Sequence, residues 1–120
     1  MTFAQMQNSA GAYVSPDDTA FKAAAAGADW SKTFHQILTE QPGKDSWPIT
    51  GATYILMYKT QDKPANATNS LKFFDWAYVN GDKMADDLDY VPLPASVKVL
   101  VRKQWADNLK DAAGKAIALK

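Results

Sequence analysis

The sequence predicts an α/β fold, and its apolar pattern carries that prediction. Residues 52–59 are rich in aromatic and β-branched side chains, with no polar residue from Tyr54 to Tyr58. Such a run is typical of a strand that is buried on both faces of a sheet. Apolar positions in residues 71–80 and 94–109 recur with helical spacing instead. A buried strand flanked by amphipathic helices indicates an α/β domain.

Composition narrows the class of protein before any motif is considered. Apolar residues make up 47 % of the 120-residue chain and charged residues 22 %, which is typical of folded domains and excludes intrinsic disorder. The longest apolar run is far shorter than the roughly 18 residues of a membrane span, and residues 1–7 lack the features of a secretory signal. The 13 basic and 13 acidic residues are interspersed, so we expect no nucleic-acid partner.

The first helix is predicted from the sequence Ser15-Pro16-Asp17-Asp18, where Ser15 serves as N-cap and proline takes the first helical position. This helix should carry the alanine run 23–26 and end at Gly27, which accepts a left-handed C-terminal cap. Residues 29–41 fit a helix and an irregular extended segment about equally well. Pro42-Gly43 then predicts a turn ahead of the strand.

A second helix is predicted after a polar loop that covers residues 61–69. Asn66 or Thr68 in that loop could serve as the N-cap, and Gly81 should end the helix. The helical spacing places four residues on the inward face, namely Leu71, Phe74, Ala77 and Tyr78.

The last third of the chain is predicted to be helical with one interruption. A short acidic helical stretch over residues 82–89 ends at the proline-containing run 90–94, and the last helix begins at Pro94. Lys98 falls on the solvated side of this helix, and the chain from Ala112 onward is expected to be a loose tail. The apolar stripe of the last helix consists of Val97, Leu100, Val101, Trp105 and Leu109.

Candidate catalytic residues are few. His35 is the sole histidine, and the chain has no G-x-S-x-G motif to supply a nucleophile for a serine hydrolase site. We therefore expect His35 to be an ordinary surface or core residue. The chain has no cysteine, which excludes disulfides, thiol catalysis and, with a single histidine, a zinc site. The sequence predicts neither an enzyme nor a cofactor.

Acidic and glycine-containing motifs give no ligand site either. The aspartates at positions 82, 86, 87 and 89 suggest a calcium or magnesium site, because hard cations prefer oxygen ligands. Their spacing is not that of an EF-hand loop, so a solvated helix face is the preferred interpretation. Neither the Walker motif nor the G-x-G-x-x-G motif occurs, and residues 50–53 are too short to count as a phosphate loop.

Two further patterns have a structural and a functional interpretation. The aromatic cluster Phe73, Phe74, Trp76 and Tyr78 could stack on sugars or bases, but stacking platforms for nucleic acid come with cationic grooves. Packing of these aromatic rings against a sheet is therefore preferred. Asn66-Ala67-Thr68 matches a glycosylation acceptor, and a helix-capping residue in a loop explains it equally well.

Four motifs in a fixed order resemble a known family. Residues 28–34 read ADWSKTF, residues 46–50 read SWPIT, residues 71–78 read LKFFDWAY and residues 87–94 read DLDYVPLP. Together they resemble the phosphate-binding protein of the bacterial ABC-type phosphate transporter, the PstS family. The resemblance covers about residues 11–110 of the chain.

The resemblance implies the C-terminal part of a type II periplasmic-binding-protein-like fold. It assigns residues 1–50 to the end of lobe 2, residues 51–60 to a strand that crosses the hinge, and residues 61–120 to the closing helices of lobe 1. It also implies a periplasmic location and, as partners, the membrane permease subunits of the transporter.

Phosphate contacts in this family come mainly from an N-terminal half that includes a Ser-Gly-Thr turn. No Ser-Gly-Thr tripeptide occurs here, and Arg102 lies outside any matching motif. We therefore expect no phosphate-binding, catalytic or metal-binding residue in this chain.

The expected function is that of a C-terminal segment of the phosphate-binding component of an ABC-type uptake system. Inorganic phosphate should bind only when the N-terminal half is present. The alternative is a self-standing small α/β protein-interaction domain that associates through the surface a missing lobe would have covered.

Overall fold

A computed structural model of the chain describes residues 2–117 and residue 119. Mixed helix and strand confirm the predicted α/β class at that level. The helices are α1 (Asp18–Gly27), α2 (Pro64–Asn80), α3 (Asp82–Asp86) and α4 (Ala95–Asn108). The strands, each two residues long, are β1 (Met6–Gln7), β2 (Tyr13–Val14), β3 (Thr60–Gln61) and β4 (Lys110–Asp111).

The strands form two separate pairs. β1 and β2 are antiparallel, with Met6 opposite Val14. β3 and β4 are parallel, with Thr60 opposite Lys110. The chain divides into two compact units, the first made of residues 1–54 and 91–97 and the second of residues 55–90 and 98–120.

Helix α1 packs in the first unit through its alanines, but its ends differ from the prediction. The N-cap is Asp17 and not Ser15, because the Asp17 carboxylate accepts a hydrogen bond from the Ala20 amide at 2.9 Å. The helix ends at Gly27 as predicted. A left-handed cap there is wrong, since Gly27 has no positive φ and the chain leaves the helix through extended Ala28.

The rest of the first unit is irregular and is held by side chains. Residues 29–41 contain neither a helix nor a named strand, and a single bridge joins Thr39 to Ile49. The predicted turn at Pro42-Gly43 is confirmed by a φ of 114° at Gly43. The buried residues include Ala20, Ala24, Ala25, Trp30, Leu38 and Trp47.

Asn8 is a buried polar residue that cross-links the first unit. Its side-chain amide donates to the carbonyl oxygens of Gly43, Lys44 and Ser46 at 2.9–3.2 Å. Its Oδ1 atom accepts hydrogen bonds from the amides of residues 10 and 12, both at 3.1 Å. Asn8 therefore joins the β1–β2 turn to the loop of residues 43–46.

Helix α2 begins earlier than predicted. Pro64 occupies its first turn, where the missing amide proton costs nothing, so the predicted loop over 61–69 is wrong from that residue onward. Lys63 precedes the helix without a side-chain cap, and Asn66 and Thr68 lie inside it. The predicted end at Gly81 is confirmed.

The core of the second unit lies between α2 and the end of the chain. Its buried residues are Ala67, Leu71, Leu109 and Ile117, with Met57 and Trp105 packed against them. The predicted loose tail is wrong over residues 112–117, because Ala116 forms a bridge with Lys110 and the Ile117 amide donates to the Leu109 carbonyl at 2.9 Å. Burial of the Ile117 side chain holds this segment in place. Positions 118 and 120 of that tail lie outside the described residues.

Helix α3 begins at the predicted residue but ends three residues before the predicted end, and α4 begins one residue later than predicted. The acidic stretch is helical over Asp82–Asp86 and continues as a turn to Asp89, and α4 begins at Ala95. The predicted solvated position of Lys98 is wrong, since this side chain is buried. Among the described residues, no helix has the length and apolar character that a membrane crossing requires.

The predicted strand over residues 52–59 is not formed. Residues 51–58 have no regular secondary structure, and the Leu56 and Tyr58 side chains are 93 % and 85 % exposed. An interior strand needs a neighbour on each side to satisfy its backbone, and the described part of the chain supplies none here.

Candidate functional site

The second unit contains a groove of about 420 Å³ where the chain enters α2. Its lining includes the apolar Met57 and the polar side chains of Thr60, Asn66 and Ser70. Lys63 and Asp62, side by side in the same lining, carry opposite charges. The groove therefore offers hydrogen-bonding groups without a net positive charge.

Arg102 is engaged within the second unit. Its Nε atom donates to Asp75 Oδ1 at 2.6 Å, and its guanidinium lies 5.8 Å from the centre of the Tyr78 ring. Asp75 takes the Nε–H donor and balances the guanidinium charge that would attract an anion. Tyr78 itself stacks on Trp105, with ring centres 5.7 Å apart.

Burial raises the pKa of the Tyr78 hydroxyl, while the Arg102 guanidinium acts in the opposite direction and lowers it. The neutral phenol is thus the favoured form in the folded chain. This group can donate a hydrogen bond at neutral pH but is no candidate for a general base.

Lys98 is a buried cation that the sequence pattern misplaced. Only 7 % of the residue is exposed, and its ammonium group donates to Asp82 Oδ1 at 2.6 Å and to the Tyr78 carbonyl at 3.0 Å. Lys98 therefore ties α4 to the end of α2 and the start of α3. The helical spacing gave no signal for this role, because a lysine stem can run along an apolar surface to a distant partner.

The structure brings no catalytic constellation to His35 within the described residues. The residue is exposed, and its ring lies 6.1 Å from the ring of Tyr54, which is an aromatic contact and not a hydrogen bond to a nucleophile or a carboxylate. The backbone amide of His35 donates to Thr33 Oγ1. This setting agrees with the surface role expected from the sequence.

The acidic stretch is used in ion pairs. Asp82 binds Lys98, and Asp87 binds Lys83 at 2.7 Å. No group of side chains within residues 2–117 or at residue 119 is arranged to hold a metal ion.

The aromatic residues of α2 divide between two faces. Phe74 is half-buried and Tyr78 packs on α4, so helix packing replaces the predicted packing against a sheet. Phe73 and Trp76 stack on each other, with ring planes 20° apart, and are 61 % and 48 % exposed. The outward face of α2 is therefore apolar as well.

Residues 55–58, here called the exposed segment, form the most exposed apolar stretch of the second unit. Met57 is half-buried against the core, whereas Ile55, Leu56 and Tyr58 lie largely in solvent. This exposure is the feature that sequence reasoning missed, because the apolar pattern of the segment predicts burial.

Comparison with known proteins identifies relatives with a similar sequence. The chain is 43 % identical over 112 residues to the phosphate-binding protein PstS of Haemophilus influenzae. It is 40 % identical over 119 residues to the PstS protein of Pasteurella multocida and 40 % identical over 112 residues to that of Xylella fastidiosa. These matches cover 92 %, 98 % and 92 % of the chain.

The chain is a relative of the PstS phosphate-binding proteins. This result confirms the resemblance that the sequence motifs indicated. No family model matches the chain. The match covers 34 %, 35 % and 31 % of the three PstS proteins, so the chain spans about a third of their length.

Proposed function

We propose that the chain is a C-terminal segment of a phosphate-binding protein and serves an ABC-type phosphate uptake system. The observation that carries this proposal is identity of 40–43 % to PstS proteins over 92–98 % of the chain. The same comparisons favour this function over that of a self-standing interaction domain.

Within this proposal, the fold is part of a type II periplasmic-binding-protein-like architecture. Residues 1–50 belong to the end of lobe 2, residues 51–60 cross the hinge, and residues 61–120 close lobe 1. The boundary between the two compact units at residues 54 and 55 supports the crossing position. Residues 91–97 also group with the first unit, so the chain passes between the two units more than once.

The phosphate contacts, in this proposal, lie in the part of the protein that the chain does not match. A desolvated phosphate needs several convergent donors, such as helix N-termini and an arginine that binds in a bidentate manner. Arg102 is paired with Asp75, and the groove beside Lys63 also contains Asp62. Phosphate would therefore bind only when the remaining two thirds of the protein are present.

The proposed location and partners follow from the relatives. A phosphate-binding component of an ABC system acts in the periplasm, delivers phosphate to membrane permease subunits and catalyses no reaction. Closure of two lobes around the anion would exclude water and strengthen each hydrogen bond. The chain would contribute to that closure mechanically and not through direct contact with phosphate.

A chimera tests the proposed function. The matched residues of the Haemophilus influenzae protein would be replaced by this chain, and phosphate binding would be measured by titration calorimetry with sulfate as control anion. We expect phosphate-selective binding by the chimera and none by the 120-residue chain alone. A folded chimera that binds no phosphate, or a chain that binds phosphate tightly by itself, would contradict the proposal.

Two substitutions in the chimera serve as controls for the position of the contacts. Lys63→Ala removes the cation of the groove, and Arg102→Lys weakens the pair with Asp75 while the charge is kept. Both should leave phosphate affinity within about twofold, since neither side chain touches phosphate in this proposal. A loss of tenfold or more for Lys63→Ala would instead place phosphate in the groove.

A further inference from the structure

We propose that the dipeptide Asn80-Gly81, at the junction of α2 and α3, is a site of spontaneous deamidation whose rate is controlled by the contacts of Lys98. Asparagine is one of the chemically labile residues of proteins. Of the asparagines at positions 8, 66, 69, 80 and 108, only Asn80 is followed by glycine. The reaction is independent of phosphate binding, because it requires only this dipeptide and water.

The reaction joins two groups that both belong to the dipeptide. The backbone nitrogen of Gly81 gives up its proton and attacks the side-chain carbonyl carbon of Asn80, so that a new C–N bond closes a succinimide ring. The side-chain nitrogen takes up a proton and leaves as ammonia. Water then opens the ring at either of its two carbonyl groups, which gives aspartate or isoaspartate. Glycine favours the attack because it has no Cβ atom to obstruct the approach.

The folded chain holds the two reacting groups apart. The Gly81 amide donates to the Ala77 carbonyl oxygen at 2.8 Å, so its N–H is engaged at the end of α2. The Asn80 side-chain amide donates to the Trp76 carbonyl oxygen at 3.0 Å, which directs it back along the helix. Because reacting atoms must approach to about 3–3.5 Å, these hydrogen bonds have to break first. Deamidation therefore requires the last turn of α2 to open.

Lys98 holds the chain on both sides of the dipeptide. Its ammonium group donates to the Tyr78 carbonyl oxygen at 3.0 Å, two residues before Asn80, and to Asp82 Oδ1 at 2.6 Å, immediately after Gly81. This arrangement of Lys98, Tyr78 and Asp82 is here called the Lys98 clamp. Since the lysine is buried, little water competes for its hydrogen bonds. The clamp ties both ends of the reactive junction to α4.

The junction lacks two other features that would hold it closed. Gly81 has a φ of −90° and a ψ of −6°, so it does not form the left-handed cap that ends many helices. The last turn of α2 contains no basic residue to offset the helix dipole. Helix ends open at a lower free energy than core segments, and Asn80 is exposed to water. We therefore expect loss of the clamp to increase opening at this junction.

Deamidation would in turn weaken the clamp. Either product adds a carboxylate at the C-terminal end of α2, where the helix dipole disfavours negative charge. Isoaspartate also inserts a methylene carbon into the backbone between the two partners of Lys98, so the lysine could no longer bind both in the same geometry. The modified junction is therefore more open than the original one, and the modified form accumulates as the chain ages.

The test follows deamidation of the purified 120-residue chain during incubation in mildly alkaline buffer. Mass spectrometry of proteolytic peptides would locate the change, and enzymatic methylation would detect isoaspartate. A peptide of residues 76–85 and the chain in urea are the unfolded references. We expect Asn80 to react before the other asparagines, and about tenfold or more slowly in the folded chain than in either reference. Equal rates in the folded chain and the references, or earlier reaction of another asparagine, would overturn the proposal.

Two lysine substitutions on α4 separate the clamp from a general effect of lost charge. Lys98→Met keeps an unbranched apolar stem but removes the ammonium group, and should speed deamidation of Asn80 about fivefold or more. Lys103→Met removes an exposed lysine that pairs with Asp107, and should leave the rate unchanged. Equal rates for these two variants, including no reaction in either, would overturn the role of the clamp.

Hydrogen exchange shows whether a variant opens at the junction or unfolds as a whole. In Lys98→Met, the Gly81 amide should exchange faster while the buried Leu71 amide exchanges as in the native chain. If that variant unfolds, Asp82→Ser removes the charged partner instead and should also speed the reaction. A folded Asp82→Ser variant with the native rate would contradict the proposal. Asn80→Gln, which would have to close a larger ring, should show no mass change at this position, and a persisting change there would overturn the assignment.

Discussion

Asn8 shows how one buried polar side chain can organise an irregular region. Five hydrogen bonds use all of its donors and its acceptor oxygen, so a substitution that keeps the shape but changes the chemistry is informative. In Asn8→Asp, a carboxylate oxygen would face three carbonyl oxygens. We expect a loss of at least about 2 kcal/mol in the free energy of unfolding.

Urea denaturation with circular dichroism would measure that loss. Asn69→Asp introduces the same charge on the exposed surface of α2 and should change stability by less than about 0.5 kcal/mol. Similar stabilities for Asn8→Asp and the native chain would show that these hydrogen bonds do not organise the loop.

The raised pKa of the Tyr78 hydroxyl predicts a loss of stability at alkaline pH. Burial raises the pKa of its hydroxyl above the ordinary value near 10, so the folded chain holds this proton more tightly than the unfolded chain. The resulting stabilisation is fully present below the unfolded pKa and is lost as pH rises through the folded pKa. We expect Tyr78→Phe to reduce the fall in unfolding free energy as the pH rises above the ordinary pKa of tyrosine, near 10.

Chemical denaturation at several alkaline pH values would reveal this difference. Tyr58→Phe removes an exposed hydroxyl and is the matched control. If both variants show the same pH dependence as the native chain, Tyr78 does not titrate differently between the folded and unfolded states.

At the scale of elements, amphipathic spacing predicted the helices better than the strand. Leu71 in α2 and Val97 in α4 are buried as their spacing requires, because a helix satisfies its own backbone and needs only one apolar face covered. The strand over residues 52–59 depends on neighbours that the described part of the chain does not contain. The same run of aromatic and β-branched residues that predicts a buried strand is therefore exposed in this chain.

Single side chains account for the other differences between prediction and structure. Asp17 caps α1 in place of Ser15 because two nearby residues offer the same chemistry and only the backbone geometry selects one. Pro64 begins α2, although proline equally marks loops. The expected absence of a phosphate contact depends on the unmatched part of the protein and remains a prediction.

The junction of α2 and α3 depends on the absence of a side chain at Gly81. A Cβ atom added there would lie 2.6 Å from the Ala77 carbonyl oxygen, which belongs to the helix backbone and cannot easily move. We expect Gly81→Ala to lower the free energy of unfolding by about 1–3 kcal/mol. A Cβ atom added at Gly51 would meet no heavy atom within 4 Å beyond its chain neighbours, so Gly51→Ala is the matched control and should be nearly neutral.

Thermal unfolding of the two glycine variants would test this prediction. An unchanged melting temperature for Gly81→Ala would mean that the junction adjusts at no cost and that the close approach to Ala77 is unimportant.

At the scale of the whole molecule, zero net charge and exposed apolar segments predict limited solubility. The sequence pI is about 6.5, and electrostatic repulsion between copies is weakest near that pH. We expect a solubility minimum near pH 6.5, and a larger gain in solubility from Leu56→Lys than from Leu88→Lys. Both variants add one positive charge, but only the first interrupts the exposed segment of residues 55–58.

Precipitation with ammonium sulfate at several pH values would quantify these differences. A larger gain from Leu88→Lys would indicate that association proceeds through the turn after α3 instead of the exposed segment.

The distribution of tryptophans gives each compact unit its own optical reporter. Trp30 and Trp47 are buried in the first unit, while Trp76 and Trp105 lie in the second, where Trp76 is partly in solvent. Buried and solvated indoles emit at different wavelengths, so replacing one pair by phenylalanine leaves fluorescence that follows a single unit. The four native chromophores thus allow the folding of the two units to be timed separately, without any attached dye.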